Sequence, residues 1–254
     1  MQISILGCSG GIGGNLRTTT ILVDHDILVD AGTGVGDMSL SELLAIDHVF
    51  LTHSHLDHIT SLPFIVDTVG GMRKRPLTVY ACEGTLEILS QHIFNWKIWP
   101  DFREIPSKQA PYLRFQVIRE GETLDLDGRR ITALPANHVV PAVGYQLASA
   151  QASLVFTGDT TVNDAFWEVV NEIDNLRYLI IETAFPDAER DVAIRSKHLC
   201  PSMLMGELRK LKRTARIYVT HLKPGAGAQT MEELGKLGAE FNLHMLSNGQ
   251  VFRL

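Results

Sequence analysis

The stretch Thr52-His53-Ser54-His55-Leu56-Asp57-His58-Ile59 directly follows the apolar run 46–51 and carries four side chains that can bind a metal ion. Side chains alternate along an extended chain, so His53 and His55 point in the same direction. Asp57 and His58 fall where the apolar spacing predicts the start of an amphipathic helix, and they approach from a second direction. Imidazole nitrogen and carboxylate oxygen together suit zinc, and less often manganese or iron. The segment therefore predicts a site for two adjacent divalent metal ions, one held by two imidazoles and the other by a carboxylate and an imidazole.

The composition is that of an ordinary soluble globular protein. Hydrophobic residues make up 45% and charged residues 20% of 254 residues, which predicts a sizeable core in one domain, 1–254. The net charge of −6 argues against nucleic acid as a partner. Three widely spaced cysteines indicate free thiols in a reducing compartment. With no signal peptide and no apolar stretch of membrane-spanning length, we expect a cytoplasmic protein without a membrane partner.

Strand and helix patterns occur in both halves of the chain. Strands are predicted at 1–6, 18–23, 27–29, 49–51, 77–81, 112–118, 131–133, 144–147, 154–157, 178–181, 217–219 and, as the last one, 244–246. Helices are predicted at 42–46, 59–69, 85–93, 163–172, 200–211 and 230–241, with Ser39 or Ser41 as the cap of the first. This order predicts an α/β protein in which two sheets pack face to face with helices outside, an αββα four-layer sandwich.

The glycine-rich loop 7–15 follows the first strand. It does not complete the GxGxxG pattern, and no Lys-Ser or Lys-Thr pair of a P-loop follows it, so dinucleotide binding is not favoured. We expect a flexible loop near the site whose backbone N–H groups face a phosphate.

Three further polar residues stand alone just after predicted strands. His138, Asp159 and His221 each follow an apolar run. Taken singly, each is explained about equally well as a strand-terminal residue satisfied by backbone groups. Because functional residues gather where loops leave a sheet, we expect the three to join the first cluster.

The order of these motifs resembles the metallo-β-lactamase fold superfamily across nearly the whole chain. The pattern His53-x-His55-x-Asp57-His58 is preceded by Asp30 and followed by the three single residues. The segments 181–185 and 196–199 are similar to the Glu and His motifs of its tRNase Z-like branch, which includes class II cyclic-nucleotide phosphodiesterases. The stretches 53–63 and 92–100 are similar to segments typical of that class.

The resemblance implies a role for each matching residue. It assigns His53, His55 and His138 to one zinc ion, Asp57, His58 and His221 to the other, and Asp159 to a bridge between them. Asp30 would hydrogen-bond the ligand loop and fix its shape. The cofactor expected is two divalent metal ions, Zn²⁺ first and Mn²⁺ or Fe²⁺ as alternatives.

The activity implied is hydrolysis of 3′,5′-cyclic nucleotides, cAMP or cGMP, to 5′-nucleotides. The catalytic residues expected are Asp57, Glu182 and His198, with His198 protonating the leaving alkoxide and Glu182 orienting it. A planar base would stack on an aromatic ring and the phosphate would meet a lysine; the candidates are Phe94, Trp96, Trp99 and Lys223.

Two alternatives within the same superfamily stay open. A tRNase Z-like endonuclease carries a long tRNA-gripping insertion between its third and fourth motifs, whereas His138 and Asp159 are only 21 positions apart. Thioesterase or lactonase types would use the same metals but would not require Glu182 and His198. The resemblance also suggests a homodimer.

Overall fold

Two seven-stranded sheets form the centre of the computed structural model, which describes residues 1–254. The first sheet contains β1 (Gln2–Gly7), β2 (Thr20–Val23), β3 (Ile27–Val29), β4 (His48–Phe50), β5 (Leu77–Ala81), β6 (Leu113–Val117) and β14 (Val251–Arg253), in the spatial order β14-β1-β2-β3-β4-β5-β6. The second contains β7 (Thr123–Leu126), β8 (Arg129–Pro135), β9 (Val143–Ala148), β10 (Ser153–Phe156), β11 (Leu176–Glu182), β12 (Arg216–Thr220) and β13 (His244–Met245), in the order β13-β12-β11-β10-β9-β8-β7.

Eight α-helices connect the strands. They are α1 (Leu40–Ala45), α2 (Leu56–Ile59), α3 (Leu62–Val69), α4 (Glu83–Ile88), α5 (Asp164–Val170), α6 (Arg190–Ser196), α7 (Pro201–Leu208) and α8 (Gly227–Leu237). A π-helical turn, Leu89–Ile93, extends α4. Ser39, one of the two predicted caps, is the N-cap of α1 and forms a capping box with Glu42. None of the helices combines the length and the apolarity that crossing a lipid bilayer requires.

The apolar residues divide into a layer between the sheets and a layer on each outer face. In β3, Ile27 and Val29 face the second sheet, whereas Leu28 packs with the helices α3 and α4. Between the sheets, Phe50 of β4 meets Tyr145 of β9 edge-on, with ring centroids 5.7 Å apart. Burial on both faces explains why the central strands read as continuous apolar runs. The structure confirms the αββα sandwich.

The topology brings the ends of several strands to one edge of the sandwich. The strands β3, β4, β5 and β6 run parallel to one another, as do β10, β11, β12 and β13. The strand β8 has the direction of β10 because both are antiparallel to β9. Residues that follow these strands therefore converge on one edge, which is where ligands bind in sheets of this kind.

Three elements differ from the sequence-based expectation. The helix α6 and the strands β7 and β14 were not predicted, and 244–246 is not the last strand. The strand β7 lies at a sheet edge and only half of its residues are partly buried, so its apolar alternation is weak. The three residues of β14 form a strand because they pair with β1, which is distant in sequence.

Candidate metal centre and active site

The histidine-rich segment leaves β4 and turns into α2 at this edge. His53 and His58 are completely buried, His55 is half-buried, and Asp57 is partly exposed. His55 has an extended backbone at the N-cap of α2, whereas Asp57 and His58 belong to the helix. The rings of His53 and His58 lie 4.2 Å apart between centroids. The change from extended chain to helix turns both pairs of side chains toward one place.

Asp30 anchors this segment from the end of β3. Its buried carboxylate accepts hydrogen bonds from the Thr52 N–H at 2.8 Å, from the Thr52 hydroxyl at 2.8 Å and from His58 Nδ1 at 2.7 Å. Since the Thr52 hydroxyl donates to Asp30, it accepts from His53 Nδ1 at 3.0 Å. Burial raises the pKa of Asp30, although its hydrogen-bonded neighbours His58 and Thr52 act in the opposite direction. These bonds occupy Nδ1 of both histidines and leave both Nε2 lone pairs facing the cluster.

His138 reaches the same cluster from the segment after β8. Its Nδ1 donates to the backbone carbonyl of Lys197 at 3.1 Å, and its Nε2 lies 3.2 Å from His55 Nδ1. Burial lowers the pKa of His138 to about 4, so the ring is neutral at pH 7. A neutral imidazole with its Nε2 lone pair turned inward is the form that binds a metal ion.

Asp159 lies at the centre of the cluster, after β10. Its Oδ2 lies 3.6 Å from His53 Nε2 and 3.4 Å from His58 Nε2, and its Oδ1 lies 3.4 Å from His221 Nδ1. Burial alone would raise the pKa of Asp159, but the imidazoles of His221 and His58 hold it well below its ordinary value. The preceding Gly158 has a φ of +60°, and a Cβ there would lie 3.1 Å from the Thr52 side chain. Glycine permits both this backbone conformation and the close approach.

His221 completes the cluster after β12. Its Nε2 lies 3.6 Å from Asp57 Oδ2, and burial lowers its pKa to about 3. The glycine-rich loop packs directly on this residue: the His221 N–H donates to the Cys8 carbonyl, and a Cβ at Gly10 would lie 2.4 Å from the His221 carbonyl oxygen. The Gly10 N–H donates to the Leu222 carbonyl and is not free for a phosphate. At these positions the loop supports a site residue by packing.

The donor atoms of the cluster fit divalent metal ions. They form two groups, in each of which all donor atoms lie within 4.8 Å of one another: His53, His55, His138 and Asp159 in the first, and Asp57, His58 and His221 in the second. A third group of the same kind, Asp159, His198 and His221, shares two of its residues with these. Four buried polar atoms of the cluster have no hydrogen-bond partner: His53 Nε2, His58 Nε2, Asp159 Oδ2 and His221 Nδ1. Buried polar atoms without partners are costly, and bound cations would satisfy these four. Imidazole nitrogens with carboxylate oxygens match the preferences of zinc.

Glu182 and His198 form a buried pair beside the cluster. Glu182 is the last residue of β11 and is completely buried, and its Oε1 accepts from His198 Nδ1 at 2.7 Å. The ring of His198 stacks on that of His221 at 5.3 Å and meets that of His138 at 5.0 Å. Burial alone would lower the pKa of His198, but the Glu182 carboxylate outweighs it and raises the pKa above its ordinary value. With Nδ1 occupied, Nε2 is the atom left to carry a proton toward a substrate.

The four residues expected to contact substrate lie in different environments. Phe94 is 1% exposed and packs on Phe115, so its prediction as a stacking surface is wrong because the ring belongs to the core. Trp99 is half-buried against Phe64, whereas Trp96 is 60% exposed. Lys223 donates to the Gly10 carbonyl at 2.8 Å, and its Nζ lies 5.8 Å from the centre of the Phe185 ring, which contacts His198.

Thr52 is a site residue that the sequence reasoning did not single out. Its hydroxyl hydrogen-bonds both the Asp30 carboxylate and His53 Nδ1, so it fixes the orientation of the His53 ring relative to Asp30. It stands first in the quoted segment, but a threonine between a strand and a histidine has no distinctive pattern. Only the spatial approach of β3 to β4 makes it a hydrogen-bonding partner.

Residues 25–236 match the family model of the beta-lactamase superfamily domain. A probable 3′,5′-cyclic-nucleotide phosphodiesterase of Yersinia pestis is 27% identical over 204 residues, which are 71% of this chain and 58% of that protein. A ribonuclease Z of Clostridium beijerinckii is 32% identical over 155 residues, 57% of this chain and 48% of that protein. The chain thus spans about half the length of these curated relatives.

Solved structures show the same fold. Unliganded yeast PDE1 superposes with a TM-score of 0.83 at 19% identity and covers 100% of this chain and 99% of its own. The short form of human tRNase Z superposes with a TM-score of 0.70 at 18% identity and likewise covers 100% of this chain and 99% of its own.

Proposed function

Because the chain belongs to the beta-lactamase superfamily, whose domain model matches most of its length, we propose that it is a metal-dependent phosphodiesterase that hydrolyses 3′,5′-cyclic nucleotides such as cAMP or cGMP. The observation that carries this proposal is the buried Glu182–His198 pair beside a seven-residue cluster of metal-binding side chains. A proton donor at this place serves a reaction that expels an alkoxide, which is a poor leaving group. The similarity to the phosphodiesterase of Yersinia pestis supports the same reaction class.

The two groups of donor atoms are the proposed metal ligands, with Asp159 shared between them because it lies next to His58 and His221 as well as His53. Two bound divalent ions, most simply Zn²⁺, would supply a hydroxide nucleophile at neutral pH and neutralise the charge of the phosphate. Asp30 holds His58, and Thr52 holds His53, in the tautomer that presents Nε2. Asp57, expected both as a ligand and as a catalytic residue, is partly exposed, whereas Asp159 is buried.

His198 is the proposed general acid. In the overall reaction one water gives up a proton and its oxygen bonds to phosphorus, the bond from phosphorus to O3′ breaks, and the proton on His198 Nε2 goes to the departing O3′. The proton that the water gave up then restores the charged form of His198. Glu182 keeps the imidazolium charged and oriented through Nδ1. Trp96 is the proposed stacking surface for the base because it is the exposed aromatic ring of the segment 94–102.

A ribonuclease Z-like activity is the second candidate, and the 32% identity to the Clostridium beijerinckii enzyme favours it. Against it, the interval between His138 and Asp159 is filled by β9, β10 and their short connections. No room is left there for an inserted arm, and the net charge of −6 disfavours RNA binding.

A substrate panel tests the proposal. Purified protein is incubated with cAMP, cGMP, bis(p-nitrophenyl) phosphate, a thioester and precursor tRNA, each with and without a chelator, and zinc is counted per chain. We expect cyclic-nucleotide turnover that the chelator abolishes and two ions per chain. Cleavage of precursor tRNA without cyclic-nucleotide turnover would favour the second candidate, and no more than one ion per chain would contradict the dinuclear assignment.

The variant His198→Ala tests the acid. We expect cyclic-nucleotide turnover to fall by about 10²–10⁴-fold with unchanged zinc content. The exposed His92→Ala serves as the matched control. Loss of zinc from His198→Ala would instead make His198 a ligand.

A further inference from the structure

Lys197 has a backbone conformation that lysine rarely adopts. It is the C-cap of α6, with φ 53° and ψ 49°, in the left-handed region where glycine is the usual residue. A non-glycine residue kept in such a conformation points to a constraint from its surroundings. The neighbours of Lys197 show what that constraint is.

The peptide group between Lys197 and His198 connects three parts of the site. Its carbonyl oxygen accepts the hydrogen bond from Nδ1 of His138 at 3.1 Å. Its N–H donates to the Ala193 carbonyl of α6 at 2.8 Å. One peptide plane therefore orients the imidazole of His138 and carries the backbone of His198.

The side chain of Lys197 returns to the same loop. Its Nζ donates to the backbone carbonyl of His138 and to Asn137 Oδ1, both at 3.1 Å. The side chain of each of these two residues, Lys197 and His138, thus donates a hydrogen bond to the backbone carbonyl of the other. Glycine would satisfy the left-handed backbone but could not make these two contacts.

Asn137 extends the connection to the segment that carries Asp159. Its Nδ2 donates to the Val162 carbonyl at 2.9 Å, and its N–H donates to Thr160 Oγ1 at 3.0 Å. The ammonium of Lys197 therefore joins the segments after β8, after β10 and after α6. The three segments carry His138, Asp159 and His198, respectively.

We propose that Lys197 is a positioning residue that fixes the proton donor His198 relative to His138; this inference rests on the proposed function. Transfer of a proton to a departing oxygen tolerates little displacement, and an error of about 1 Å can cost roughly 10²-fold in rate. Loss of the ammonium removes the tie between the loop of His138 and the peptide 197–198 and lets this peptide shift, whereas bound metal would still hold the imidazole of His138. The defect falls on substrates whose leaving group needs a proton.

The test compares two leaving groups in the variant Lys197→Met, which keeps the aliphatic stem and the carbonyl but removes the ammonium. We expect kcat for cAMP, with an alkoxide leaving group, to fall about 10–100-fold with KM little changed. Turnover of bis(p-nitrophenyl) phosphate, whose leaving group needs no acid, should change less than threefold. Lys197→Arg should restore most of the cAMP activity, and the exposed Lys212→Met is the matched control.

Hydrogen exchange of the metal-free protein gives a readout independent of activity. In Lys197→Met the amides of residues 137–140 and 160–162 should exchange faster than in wild type, whereas those of β1 should not change. If Lys197→Met does not fold, Lys197→Gly, which suits the left-handed backbone, takes its place with the same expectations. An equal loss for both diesters, or unchanged exchange in both segments, would overturn the proposal. If wild-type protein hydrolyses neither diester, the proposed function fails, and hydrogen exchange still decides whether Lys197 holds the segments together.

Discussion

Replacing Glu182 by glutamine is the most informative single change in this protein. The Glu182 carboxylate accepts four hydrogen bonds: from Thr160 N at 3.1 Å and His198 Nδ1 at 2.7 Å on Oε1, and from Ala184 N at 3.1 Å and Leu199 N at 3.3 Å on Oε2. Glutamine has nearly the same shape, but one of its two terminal groups is an amide NH₂ that can only donate. Whichever way it is turned, two N–H groups that had acceptors will face a donor.

The size of the effect follows from these contacts. A buried donor without its acceptor costs about 1–3 kcal/mol, and removing one partner of a buried ion pair costs about 3–5 kcal/mol. With local relaxation we expect Glu182→Gln to lower the free energy of unfolding by about 2–5 kcal/mol. Loss of the charged, oriented imidazolium should also reduce kcat for cAMP by about 10²–10⁴-fold, equivalent to about 2.7–5.4 kcal/mol in the barrier.

The assay combines urea unfolding with steady-state kinetics on cAMP and bis(p-nitrophenyl) phosphate. Glu207→Gln is the matched control, because Glu207 is also buried and accepts hydrogen bonds from Asn163 N and Trp167 Nε1, but it contacts no residue of the cluster. Both variants should be destabilised, and only Glu182→Gln should lose cAMP hydrolysis selectively. Retention of cAMP turnover in Glu182→Gln, or an equal loss for both substrates, would refute the reasoning.

Three further predictions follow from the same contacts. Asp30→Asn removes the charge that holds His58 Nδ1, so zinc affinity measured by chelator competition should fall about 10–100-fold, whereas the exposed Asp67→Asn should bind zinc like wild type. Gly10→Ala places a Cβ 2.4 Å from the His221 carbonyl oxygen and should cost about 1–3 kcal/mol of stability in urea unfolding, whereas Gly36→Ala, with no atom within 4 Å, should cost less than about 1 kcal/mol; equal effects would contradict the packing role of the loop. Burial alone would raise the pKa of Asp26, but Arg129 outweighs burial and lowers this pKa. The pair therefore stabilises the protein fully at a pH above the unfolded-state pKa of Asp26, about 4. The stabilisation is lost as the pH falls through the lower folded-state pKa. Arg129→Met should therefore be less stable than wild type by up to about 1 kcal/mol at pH 7, and a difference that does not shrink toward pH 3 would speak against this ion pair.

Much of the fold could be predicted because the pattern that determines it is local. Each central strand is a short apolar run with a polar residue after it, and burial on both faces produces that run wherever the strand lies in the sheet. The elements that were missed depend on partners far along the chain. The strand β14 exists through its pairing with β1, and β7 is an edge strand with a weak apolar alternation.

The amino-acid sequence by itself determined which side chains could form the centre. Imidazoles and carboxylates follow the predicted strands. Both the residue type and its position after an apolar run can be recognised from the sequence alone. Only the tertiary structure decided how they are oriented. The Nδ1 partners of His53, His58 and His138 are Thr52, Asp30 and the Lys197 carbonyl, and the last two pairs are 28 and 59 positions apart.

The structure also decided which aromatic ring is available and which lysine matters. Phe94 and Trp96 are two residues apart and alike in sequence, yet one is in the core and the other is exposed. Nothing in the sequence distinguishes Lys197 from the other lysines; the structure does, because its ammonium donates a hydrogen bond to the backbone carbonyl of His138. Residue type and local periodicity are properties of the sequence itself. Hydrogen-bond partners and burial depend on segments that only folding brings together.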